Sequence, residues 1–280
     1  MKTSRFAVLS LAASLLAAPA LAGDKVSFKD PTGDDNGPGK YTYPTDSVYK
    51  RGSFDLTGFE FQKKGKKADL SVSLNTKLED PWKMGGGFSV QMVFVFIDTD
   101  RKPGSGNTGG LPGLNVEFAP DSAWEKVIIL SPQASARVKS EVGNKAASSK
   151  DAIIVPTRVK GSGRKISASI DLDGLEGDPS QWGFQVLVQS NEGFPSGNDL
   201  MTRKVNEYEG QHRFGGGNDG DCDPHVVDLL AGEGKGDKSE VKAQHEMLGG
   251  FECTEEGEAK KLATLTMVGG AKPAVAEEKQ

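Results

Sequence analysis

The chain has 280 residues, and its 34 Lys and Arg against 39 Asp and Glu leave a net charge of −5. An acidic balance with no basic stripe excludes nucleic acid as the expected partner, and three scattered histidines argue against a zinc site or a catalytic triad. The 36 glycines and 14 prolines cut the chain into short segments, the punctuation of an all-β protein.

Lys2 and Arg5 precede an apolar run from Phe6 to Ala18 and a small-residue site at Ala20-Leu21-Ala22. This is the pattern of a secretory signal peptide over residues 1–22, and the run is too short to span a bilayer. Export to the periplasm or beyond the cell is expected, with a mature start at Gly23. Residues 28–44 then read FKDPTGDDNGPGKYTYP. Asp30, Asp34 and Asp35 fall within six positions, and Gly33, Gly37 and Gly39 let the backbone turn tightly around them. A sharply turned, oxygen-rich loop suits a hard cation such as calcium. A solvated acidic loop capping a strand fits the same letters. Tyr41 and Tyr43, at the end of the run, are candidate ligand contacts.

Alternation with period two predicts a hairpin from Phe54–Phe61 and Ala68–Leu74, turning at Lys63-Lys64-Gly65-Lys66. Residues 88–97 (FSVQMVFVFI) are apolar on both faces, with Phe88, Val90, Met92, Phe94 and Phe96 on one and Val93, Val95 and Ile97 on the other. Such a strand belongs in the middle of a covered sheet. Further strands are predicted at 116–118, 124–130, 158–160, 165–172, 182–189 and 262–268, with one helix at 238–248 and a disordered tail over 269–280. The predicted fold is a β-sandwich with long loops and at most one short helix, occupying residues 23–268.

Asp98 and Asp100 end the central strand and point the same way, an arrangement that serves a shared cation or an amide-bonded turn. Asn218, Asp219, Asp221 and Asp223 resemble the start of a calcium loop. The EF-hand pattern fails there because Pro224 stands where glycine is needed and no Glu closes the loop. Trp82 sits in EDPWKMGGG, where an indole either caps the sandwich or offers a face to a sugar ring. Asn115 is a further candidate ligand contact, whereas Trp124 and Trp182 lie in strands and read as core. Cys222 and Cys253, the two cysteines of an exported chain, are expected to form a disulfide. No G-x-S-x-G, H-E-x-x-H or Walker motif marks an enzyme.

Five segments carry a resemblance: DPTGDDNGPGKYTYPTDSVYKRGSFDLTGFEF (30–61), PWKMGGGFSVQMVFVFIDTD (81–100), LPGLNVEF (111–118), SQWGFQVLVQS (180–190) and RFGGGNDGDCDPHVVDLL (213–230). Across nearly the whole mature chain it resembles the C-terminal module of glucodextranase and of S-layer-associated amylopullulanases. The resemblance implies a jelly-roll or DOMON-like sandwich, akin to family-nine carbohydrate-binding modules, with bound calcium and no catalytic site. It implies Asp30, Asp34, Asp35, Asp98 and Asp100 as calcium ligands. The implied partner is a polysaccharide, such as an α-glucan, or a cell-envelope component, with a protein partner in a surface complex as an extension. Two of the many acids could face each other as the pair of a glycoside hydrolase, although the sequence singles none out, and two further readings stand beside it. One is a structural envelope subunit without sugar binding. The other is a DOMON-like carrier of haem b, for which Met84, Met92, Met201 and Met247 offer ligands but no telling spacing.

Overall fold

The computed structural model describes residues 25–195, 197–232 and 237–270, so the expected signal peptide and the tail beyond 270 lie outside the described residues. In chain order the first strands are β1 (Lys25–Lys29), β2 (Leu56–Lys64), β3 (Lys67–Leu74), β4 (Gln91–Asp98), β5 (Val116–Phe118) and β6 (Lys126–Leu130). After helix α1 (Ser135–Lys145) come β7 (Ile153–Ile154), β8 (Val159–Ser162), β9 (Lys165–Asp171), β10 (Gly183–Ser190) and β11 (Asp228–Leu229). Helix α2 (Asp237–Leu248) precedes β12 (Glu252–Cys253), β13 (Ala259–Lys261) and β14 (Ala263–Leu265).

Two five-stranded sheets form the sandwich, in the orders β1-β2-β3-β9-β8 and β11-β10-β4-β6-β7. Phe59 and Phe61 of β2 and Leu70 and Val72 of β3 face Val93, Val95, Phe184 and Val186 of the second sheet in one continuous core. Phe184 alone meets the rings of Phe28, Phe59 and Phe61 at 5.9, 5.5 and 5.6 Å. The outer face of the first sheet is wet, with Glu60 paired to Lys25 and Lys165. The outer face of the second sheet is covered. Met92, Phe94, Phe96 and Leu187 pack there against Val138 and Val142 of α1, Leu248 of α2 and the β5–β14 pair. β4 is therefore buried along its whole length and sits in the middle of its sheet, as the doubly apolar run predicts.

Two expectations need correction. Phe88 and Val90 face the inter-sheet core with Val93, not the outer layer with Met92. The strand begins at Gln91, and the preceding residues are held by Asn191, whose N–H and Nδ2 donate to the carbonyls of Val90 and Ser89. The alternation therefore shifts by one at that point. The second correction is α1, which makes two α-helices where at most one is expected. Its apolar signal is only Val138 and Val142, one helical repeat apart.

Candidate cation centre and binding groove

Four elements converge where the edge strands β1 and β11 of the two sheets come together. Asp30 follows β1, Asp55 precedes β2, Asp228 opens β11 and Glu240 lies on α2. The loop after β1 threads among them and adds Asp34. All five carboxylates are buried, from 0% exposed at Asp228 to 8% at Asp30. Their oxygens form two triplets, Asp30–Asp34–Glu240 and Asp34–Asp55–Asp228, and within each the oxygens lie no more than 4.8 Å apart.

Some of these oxygens have structural partners. Asp228 accepts the backbone N–H of Leu56 at 2.6 Å and of Leu229 at 2.8 Å, tying β2 of one sheet to β11 of the other. Asp55 Oδ2 accepts from the Gly33 amide and Asn75 Nδ2, and Glu240 Oε1 accepts from the Ala231 amide. Both oxygens of Asp30, both of Asp34, Asp55 Oδ1 and Glu240 Oε2 are buried with no donor. Burial, then repulsion from Asp228, Glu240 and Asp34, pushes the Asp30 carboxyl up to about 12. Burial and Glu240 push Asp34 up to about 8, and burial also raises Asp55, Asp228 and Glu240. A buried anionic cluster must take up protons or a cation. The donor set is entirely carboxylate oxygen, which fits a hard divalent ion of the calcium type.

The helix α2 clamps the loop. Gln244 Nε2 donates to the Asp34 carbonyl at 2.6 Å, while its Oε1 accepts from the Leu229 amide at 3.0 Å. His245 Nε2 lies 3.1 Å from Asn36 Oδ1. Gly37 takes φ +59°, and a Cβ there would sit 2.2 Å from the Tyr41 ring, so the turn needs glycine.

The other expected ligands lie elsewhere. Asp35 is half-buried and accepts the Tyr43 hydroxyl; burial raises its carboxyl and that hydrogen bond opposes the rise. Asp98 and Asp100 form a separate set with Glu125. There Asp98 accepts the Arg101 amide at 2.6 Å and faces the Arg101 guanidinium at 3.4 Å, with both side chains buried. Asp100 accepts the Lys102 amide and the Ser105 hydroxyl. The DGDCD patch is absorbed by the fold. Asp221 pairs with Lys204 and His225, and Asp223 accepts the Tyr41 hydroxyl, beside the Cys222–Cys253 disulfide.

A groove of about 670 Å³ runs along the outer side of the same loop, past Asp35, Asn36, Tyr43, Tyr49, Arg51 and Glu209. Tyr41 shows only 5% of its surface and forms floor, not platform. Trp82 is half-buried: Tyr49 and His212 meet it edge-on and the Arg203 guanidinium covers its ring at 5.6 Å. It buttresses Tyr49 and presents no free indole face on that side. Asn115, at φ +51°, spends its amide on the carbonyls of Asp221 and Asp223 and lines a different cavity. Tyr208, 72% exposed, directly precedes the groove residue Glu209 in the chain.

Sequence reading misses Asp55, Asp228 and Glu240. Asp55 and Asp228 carry a legible mark, each being a lone acid inside an apolar run, SFDL and HVVDLL. Glu240 looks like any helix-surface acid. Among known proteins, residues 26–267 match the model of a family described as the C-terminal binding module, SLH-like, of glucodextranase. A search of curated proteins returns no match.

Proposed function

Because the chain belongs to the family of SLH-like C-terminal binding modules of glucodextranase, we propose that it is an exported, non-catalytic module that binds polysaccharide with a loop held in shape by calcium. The observation that supports this most is the double duty of one loop. Its inner side presents Asp30 and Asp34 to the buried carboxylates, and its outer side presents Asp35 and Asn36 to the groove. Calcium would supply the positive charge that lets these acids stay ionised and close together. Arg51, Asn36 and Glu209 then offer donors and acceptors for sugar hydroxyls, and Tyr208 offers a ring for stacking. The five carboxylates are enclosed, so they cannot touch a scissile glycosidic bond as an acid–base pair must. The Cys222–Cys253 disulfide accords with an oxidising location outside the cytoplasm.

Affinity electrophoresis through dextran, pullulan and starch gels, with calcium and with chelator, tests the reading. Retardation in calcium that vanishes under chelation is expected. Tyr208→Ala and Arg51→Ala, both at exposed positions, should each weaken retention roughly three- to tenfold without altering the fold. Free migration of folded, calcium-loaded protein in every gel would overturn sugar binding and leave an envelope assembly subunit as the reading to pursue.

A further inference from the structure

The number of cations follows from how the carboxylates are divided. Two oxygens that each lie about 2.3–2.6 Å from one calcium are at most about 5 Å apart. The oxygens within each triplet meet that limit, but the five acids fall into two such sets and not one. Asp34 belongs to both, and both of its oxygens are buried without a donor. Asp34 is 1% exposed, Glu240 6% and Asp30 8%, and each keeps at least one unpartnered oxygen within the cluster. Charge points the same way. One divalent ion would leave three of the five negative charges buried without compensation, whereas two ions leave one.

Resting on the calcium reading above, we infer that the centre is binuclear: Asp30 and Glu240 hold one cation, Asp55 and Asp228 hold a second, and the Asp34 carboxylate bridges them. The first position fastens α2 to the loop, and the second fastens the edges of the two sheets to each other. Asp228 already serves the second role through its bond to the Leu56 amide.

Native mass spectrometry and calorimetric titration of chelator-stripped protein with calcium chloride read the stoichiometry directly. The wild type should take two ions per chain. Glu240→Gln, a substitution that keeps shape, should take one, and Asp34→Asn should weaken both by more than tenfold. A single ion in the wild type would overturn the binuclear inference while leaving the calcium reading intact. No bound ion in a protein that circular dichroism shows to be folded would overturn both. Two ions retained by Glu240→Gln at wild-type affinity would remove Glu240 from the centre, and one ion held normally by Asp34→Asn would remove the bridge.

Discussion

Asp30 follows a strand and Asp98 ends one, both are buried, and their surroundings give the same carboxylate different work. Asp98 faces Arg101, itself only 3% exposed, and caps the Arg101 amide, so its charge is answered within the chain. Asp30 has two buried oxygens and no donor. Removing one partner of a buried ion pair strands the other and costs about 3 kcal/mol. Asp98→Asn is therefore expected to lower stability by about that amount in urea titrations, equally in calcium and in chelator. A loss seen only in calcium would place a cation among Asp98, Asp100 and Glu125 instead. At this scale the sequence carries the types of residue and half of their grouping. Asp30 and Asp34 belong together as their spacing suggests. Asp35, adjacent in the chain, turns outward to Tyr43, because one position along an irregular loop has no fixed side.

Among elements, α2 shows how a helix contributes through polar groups. Glu240, Gln244 and Leu248 recur at a spacing of four and form one buried stripe. Gln244 bonds the Asp34 carbonyl and the Leu229 amide at once, joining the loop to β11. Gln244→Ala removes both bonds, while the Leu229 N–H keeps Asp228 and the Asp34 carbonyl keeps the Asn36 N–H. The loss of two hydrogen bonds costs about 1–2 kcal/mol, together with weaker affinity at the proposed calcium centre, since Asp34 loses one of its anchors. Stability unchanged in denaturant titration would show that the helix does not clamp the loop. Strands are legible where period-two alternation runs for seven residues or more, as in β2, β3, β9 and β10, and β4 through its doubly apolar run, whereas the five-residue alternation of β1 goes unread. The helix α1 was not, because only Val138 and Val142 mark its buried face and Gly143 interrupts it. The break at Gln91 was equally hidden, since a run apolar at nearly every position fits either register.

On the scale of the whole molecule, the carboxylates lie at the seam beside the edge strands β1 and β11. Asp228 is separated from Asp34 by most of the chain, and no local pattern announces that the two meet. Sheet order decides it: β11 lies at the edge of one sheet, and β1, with β2 beside it, lies at the edge of the other. Repulsion among five enclosed acids pushes this seam apart, and on the proposed calcium reading the folded state would bind a cation that the unfolded chain holds poorly. For one such site, free cation at a hundred times its dissociation constant contributes about 2.7 kcal/mol. In a domain of this size that corresponds to a shift of about 5–10 °C in the melting midpoint. Thermal unfolding in excess calcium should therefore occur at least about 5 °C above unfolding in chelator. Magnesium should protect less, because it gives up its water reluctantly and demands stricter geometry. If the midpoint is the same under all three conditions, the seam holds itself by protonating its acids, and calcium has no part in keeping the two sheets closed.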